Sequence, residues 1–213
     1  MQSRHKEILM RYFPAQTIDQ VAGYVTKYTI QLKFTAGRTT KLGDYRPPGK
    51  KSSTHRITVN GNLNPWFLYL VFLHEFAHLL VWNKYRNRIN PHGLQWKQEF
   101  AAILKQLLFQ NILPDDLVAP VSDFSNNVKG TFASDQVLWK ALKKHDVKNG
   151  TEVFIEDIPL NSYFVAANGK IFKKEGKIRT RYRCLCMNNK RKYLFHPMAE
   201  ITPVRGEYKT ENI

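Results

Sequence analysis

The sequence is short of cysteine, of acidic residues and of long apolar runs, and each shortage excludes something. Its 213 residues hold two cysteines, Cys184 and Cys186, one residue apart. They are too few and too close for the disulfide framework of a small secreted protein. The longest apolar run, Trp66 to Leu73, stops after eight residues at His74-Glu75, so a spanning helix would carry an ionisable pair at mid-depth. The opening residues, MQSRHKEILMRYF, lack the apolar segment and small-residue cleavage site of a secretory leader. These absences predict a soluble cytoplasmic chain without a membrane partner. Asp plus Glu number 17 against 33 Lys plus Arg, a formal charge of +16. Such a field favours polyanions as partners and does not determine a fold.

What is present supports a packed core, with 13 Phe, 10 Tyr and 4 Trp. The length suits one substantial domain with a small appendage. Residues 2–12 and 17–27 have helical character. Tyr28 to Thr35 alternates with period two, which predicts a half-buried strand, and further strands are expected at 39–45 and 54–60. Asn64-Pro65 is a helix start, an Asn cap followed by proline, and opens a helix to about Tyr85 that is apolar nearly all round. Leu94 to Gln110 carries an amphipathic stripe. Pro120, Ser122, Ser125, Asn126, Asn127 and Gly130 make 115–132 read as loop. A short helix over 134–145 follows, then short strands at 152–155, 163–166, 169–172, 177–187 and 192–195. The expected organisation is a catalytic domain over 1–115, a linker with a short helix over 116–150, and a basic antiparallel β module over 151–213.

The buried helix contains His74-Glu75-Phe76-Ala77-His78. Residues four apart lie one turn up the same face, so both imidazoles reach one ion, and Glu75 stands about 100° round, placed to activate an attacking water without ligating. A Glu between two His in so apolar a run is costly unless something compensates, and a zinc ion does so. A catalytic zinc needs a third protein ligand and an open position. The candidates are His92, in Pro91-His92-Gly93 at the entry to the next helix, and Glu99 on that helix; of the two, His92 is favoured. The metzincin spacing is excluded, because Val81 stands where its glycine would be and Lys84 where its third histidine would be. Trp82 and Trp96 read as core residues.

His74-Glu-Phe-Ala-His78-Leu-Leu-Val-Trp82, followed by Asn90-Pro-His-Gly-Leu-Gln-Trp-Lys97, resembles the SprT-like metalloproteases over about residues 1–112. The resemblance implies an α+β, zincin-like fold with one zinc ion on His74, His78 and His92, and Glu75 as catalytic base. It also implies proteolysis of DNA-associated or DNA-crosslinked proteins, with a strand near 28–60 forming the cleft rim. In a bacterium such a protein would be nucleoid-associated. Bacterial chains of this kind often end in a four-cysteine zinc ribbon. Only Cys184 and Cys186 stand here, so the terminal module is expected to be ribbon-like without its metal. A second zinc on these two and His196 is a lesser alternative.

Between Lys170 and Lys192 there are ten Lys or Arg and one acidic residue, Glu175. Alternation predicts a strand carrying Lys177, Arg179, Arg181 and Arg183 on one face, at a spacing close to that of successive phosphates. Lys190, Arg191 and Lys192 extend the patch, and the expected partner is single- or double-stranded DNA. The function expected is a DNA-associated zinc metalloendopeptidase acting on protein substrates. The rival readings are a non-catalytic zinc-containing nucleic-acid-binding factor, against which Glu75 argues, and a general cytoplasmic zinc peptidase.

Overall fold

The computed structural model describes residues 2–38, 40–50, 52–86, 88–146 and 153–204. The chain is α+β and divides into two compact units, 1–146 and 147–213.

The first unit contains α1 (Gln2–Met10), α2 (Ile18–Lys27), β1 (Ile30–Thr35), β2 (Gly43–Arg46), β3 (His55–Asn60), α3 (Pro65–Tyr85), α4 (Leu94–Phe109), α5 (Asp115–Asn126) and α6 (Gln136–Lys143). Its three strands lie in the order β1-β3-β2, with β1 parallel and β2 antiparallel to β3. One face of the sheet covers α3, which buries Phe67 to Leu73 without interruption. Asn64 fixes the start of α3: its Oδ1 accepts from the Phe67 amide at 2.9 Å. Its Nδ2 donates to the Leu142 carbonyl at 2.8 Å and to Asp146 at 2.6 Å, which ties the end of α6 to the start of α3. Among the described residues α3 is the one helix long and apolar enough to cross a membrane, and most of it is buried inside the unit, as befits the core helix of a soluble protein.

Two expectations need correction here. The segment 115–132 is not a loop: Asp115–Asn126 is helical, with Asp115 and Asp116 in the first turn, where they favour the helix dipole. Pro120 inside it removes one backbone donor, but Leu117, Val121 and Phe124 form a buried stripe on the same core as α3 and α4, and that burial outweighs the loss. Nor does 116–146 act as a linker. Phe132 and Trp139 pack edge-on against Phe67 with ring centroids 5.8 and 5.1 Å away, so this segment closes the first unit.

The second unit is an antiparallel sheet ordered β4-β9-β5-β6-β7-β8, from β4 (Val153–Phe154), β5 (Tyr163–Ala166), β6 (Ile171–Ile178), β7 (Arg181–Cys186), β8 (Lys192–Phe195) and β9 (Glu200–Pro203). Its own small core holds Ile155, Phe164, Phe172, Cys184, Cys186 and Ile201. Beneath the sheet Lys174, 3% exposed, donates to the carbonyls of Ile155 at 2.9 Å and Ile158 at 2.6 Å, and its ammonium lies 4.0 Å from the Tyr182 ring centroid. Burial lowers its pKa.

The basic strand is also corrected. Lys177 to Arg183 is not one continuous strand, because β6 ends at Ile178 and β7 begins at Arg181. The turn falls at Arg179-Thr180, with Arg179 at φ 52°. Lys177 pairs with Tyr182 and Ile178 with Arg181, so Lys177 shares a face with Tyr182, opposite to Arg181 and Arg183. Lys190, Arg191 and Lys192 lie at the other end of β7, about 17 Å away at ~3.4 Å per residue.

Candidate metal centre and cleft

His74 and His78 stand one turn apart on α3, and the chain between α3 and α4 brings His92 back to them. Asn90-Pro91-His92-Gly93 is a tight turn closed by the Gly93 amide donating to the Asn90 carbonyl at 3.0 Å. Pro91 supplies its first corner and His92 its second, at φ 57°, a region histidine enters more readily than most residues. Gly130 backs the imidazole: a Cβ there would lie 3.3 Å from Cβ and Cγ of His92.

The three rings converge through Nε2. His92 Nε2 lies 3.1 Å from that of His74 and 3.0 Å from that of His78. These three are the one group among the described residues suited to hold a metal ion. The donor set fits zinc on its own chemistry. Three neutral imidazoles cannot satisfy one another in a closed cluster, since each Nε2 is either a donor or a lone pair. A tetrahedral ion with ligand bonds of ~2.0–2.1 Å spaces its nitrogens by about 3.3 Å, close to what is seen. Burial lowers the pKa of all three histidines, that of His78 to about 3, so each keeps its lone pair at neutral pH.

Trp96, fully buried, meets all three histidines, with ring centroids 4.6 Å from His74, 5.1 Å from His78 and 4.6 Å from His92. It is a core residue, as expected, and also the wall that holds the trio. Glu99 points elsewhere: its carboxylate is 2.5 Å from Lys84 Nζ and takes no part in the cluster. Cys184 and Cys186 are buried in the second unit, and burial pushes the Cys184 thiol up to about 12. They form no metal-binding group with His196 among the described residues.

The trio and Glu75 line a cleft of about 810 Å³ in the first unit. Strand β2 is an edge of its sheet, and Gly43, Asp44 and Tyr45 form one wall; α3 forms the floor, and Gly130, Thr131, Phe132 and Ala133 stand on the lining as well. Glu75 is 7% exposed, and burial pushes its carboxyl up to about 8. Nearby Asp44 adds to the rise, while a hydrogen bond from the Tyr45 backbone and the charges of Arg38 and Lys41 oppose it. Asp44 itself is clamped by Lys41 at 2.6 Å and Arg46 at 2.9 Å. Burial alone would raise its pKa, and these two partners hold it below the usual value.

Sequence reasoning named the three histidines and Glu75, which the fold brings together. It missed Gly43, Gly130 and Phe132, because their importance comes from contacts with elements distant in sequence. Of the basic residues, Arg183 is paired with Glu175 at 3.0 Å, whereas Arg181 and Lys190 to Lys192 are exposed.

Comparison with known proteins finds similarity over a limited span. The chain is similar to protein SprT of Escherichia coli O1:K1 and of Escherichia fergusonii, in each case 38% identical over an 81-residue alignment taking in 30% of this chain and 48% of the relative. The chain spans about half the length of the curated relatives it matches. No protein-family model and no solved structure matches it.

Proposed function

We propose that this chain is a zinc-dependent endopeptidase of the SprT-like group, with a zincin-like first unit, acting on proteins bound or crosslinked to DNA. The observation that carries the reading is the convergence of three imidazole Nε2 atoms beside a buried carboxylate, in a cleft walled by an edge strand. A structural metal site has no use for Glu75, and that separates this reading from a non-catalytic zinc factor.

His74, His78 and His92 would hold the ion. A zinc ion so held polarises the scissile carbonyl and acidifies the attacking water. Strand β2 offers its outer edge to an extended peptide, which it would align as an added strand. Glu75 takes a proton from the attacking water and returns it to the leaving amine. Its burial favours the protonated form, and a positive charge on the neighbouring trio restores the carboxylate that accepts the proton. Trp96 and Gly130 keep the imidazoles in place.

The support for a DNA partner is the charge of +16 and its exposed clusters on the second unit: Arg179 and Arg181 at one hairpin tip, Lys190, Arg191 and Lys192 at the other end of β7. The test combines metal analysis with cleavage of a protein substrate, with and without single- and double-stranded DNA, beside Glu75→Gln. Zinc at one ion per chain and cleavage abolished in Glu75→Gln are expected. A zinc-loaded chain that cuts nothing under any DNA condition would overturn the enzyme reading, and cleavage indifferent to DNA would favour a general peptidase.

A further inference from the structure

On α3 the spacing that joins His74 to His78 continues to Trp82 and Arg86, four residues further each time. The four therefore follow one stripe of the helix along the cleft, and all of them line it. The Arg86 guanidinium stacks over the Trp82 indole, 4.1 Å from the ring centroid. Its backbone caps α3 at φ 56° and ψ −141°, donating to the Trp82 carbonyl at 2.8 Å. That backbone region is largely reserved for glycine, the ordinary residue at a helix end. An arginine kept there has its side chain set by the stack as well as by the helix.

The charge pattern of the cleft singles out Arg86. Lys41, also on the lining, is paired with Asp44, which Arg46 contacts as well. Arg86 is exposed, and no carboxylate among the described residues forms an ion pair with it. Its charge is felt by Tyr45 and His55, and the cleft lining also carries apolar Leu42, Val81, Ile89 and Pro91. A stacked guanidinium keeps its hydrogen-bonding edge free, and its planar fork matches a carboxylate bidentately. Trp82 lies one helical turn, about 6 Å, past His78. An extended chain on β2 advances ~3.3 Å per residue, so a side chain about two residues from the scissile bond would reach the guanidinium.

We propose that Arg86, stacked on Trp82, is a carboxylate-recognising subsite that selects an acidic residue, or the terminal carboxylate, of the peptide lying in the cleft. The subsite rests on the peptidase reading for its location along the substrate. The apolar lining favours a peptide over a phosphodiester as occupant.

The test uses the full zinc-loaded chain and, for each position flanking a common cleavage site, a matched set of peptides bearing Asp, Asn or Lys there, with free or amidated C-termini. Wild type should cleave Asp over Asn peptides by about tenfold at one position, through KM, the scale of a charge-assisted bidentate pair. Free acid preferred over amide, without a preference for Asp, would assign the subsite to the chain terminus. Arg86→Gly should bring the Asp/Asn ratio close to one, Arg86→Lys should retain part of it, and Arg86→Glu should turn the preference toward Lys. Arg86→Gly suits the backbone, so its melting temperature should equal or exceed that of wild type. Fluorescence anisotropy of the same peptides, labelled, on the Glu75→Gln protein gives a readout that needs no turnover. Acidic peptides binding there with an Arg86-dependent preference, in a chain that cleaves nothing, would sink the peptidase reading and leave the subsite standing. Cleavage with the same Asp/Asn ratio in wild type and Arg86→Gly would overturn the subsite alone. An oligonucleotide whose binding needs Arg86, when peptide binding does not, would also overturn it.

Discussion

Gly43 lies against Glu75 so closely that a single added methyl group would fall 2.8 Å from Glu75 Cγ and 2.8 Å from Val71 Cγ1. The requirement at Gly43 is one of space: strand β2 approaches α3 there, and the strand that walls the cleft is the one that confines the carboxylate. Gly43→Ala is expected to destabilise the protein by about 1–3 kcal/mol through overpacking, read by denaturant unfolding. Because Glu75 must shift, the proposed peptidase activity should fall by at least about tenfold. Full activity with a stability loss alone would show that Glu75 does not depend on this contact.

Glu75 gives a pH signature in metal-free protein. Its folded pKa, raised to about 8 from 4.5, means that the folded state holds a proton the unfolded chain releases between those values. Its contribution is full below about pH 4.5 and is lost as pH rises through 8. Glu75→Gln removes this dependence. The variant should match wild type near pH 4.5 and exceed it at pH 8 by a few kcal/mol at most, at ~1.4 kcal/mol per pKa unit. Melting curves of both proteins in chelator across that range measure it, and a constant difference would refute the assignment.

The histidines act with the opposite sign. Their pKa values are lowered by burial, so the unfolded chain takes up protons below about pH 6.5 that the fold does not. Metal-free stability should therefore fall as pH drops below 6.5. His92→Ala should weaken this acid sensitivity and also lose zinc, measured by elemental analysis, whereas Glu99→Ala, already paired with Lys84, should keep one zinc per chain. Equal zinc loss in both would return Glu99 to the ligand set.

Cys184 and Cys186 are buried and packed with Phe172. Native protein should react slowly with thiol reagents and quickly once unfolded, with zinc stoichiometry unchanged in a Cys184→Ala, Cys186→Ala double variant. Loss of a second zinc in that variant would contradict the single-ion reading.

The hairpin predicts an uneven set of arginines. Arg179→Ala with Arg181→Ala should weaken DNA binding and reduce the steepness of its salt dependence by about one to two charges. Arg183→Ala should do less, since that guanidinium already has Glu175. Equal effects from all three would restore a single cationic strip.

The difference between what could be read and what could not follows from the range of the interactions. Asn64-Pro65 announces α3 because a cap is a local event, and the histidine spacing is local to a helix. His92 was legible from its place in a Pro-His-Gly turn. Helix α5 was hidden by Pro120, although Leu117, Val121 and Phe124 carried the stripe that decides the matter. The turn at Arg179-Thr180 uses none of the usual turn residues, so alternation ran straight through it. Strand β9 is only four residues, with partners about 35–48 residues earlier in β4 and β5. Gly43 and Glu75 stand 32 positions apart, and no local rule connects them.

The closure of the first unit by α5 and α6 bears on how that unit could be excised. Cutting at residue 115 would uncover Phe67 and Phe100, strip Phe132 from its place beside His74 and leave the Asn64 side-chain amide without Leu142 and Asp146. A piece that keeps this core whole ends after Asp146, the boundary of the first unit.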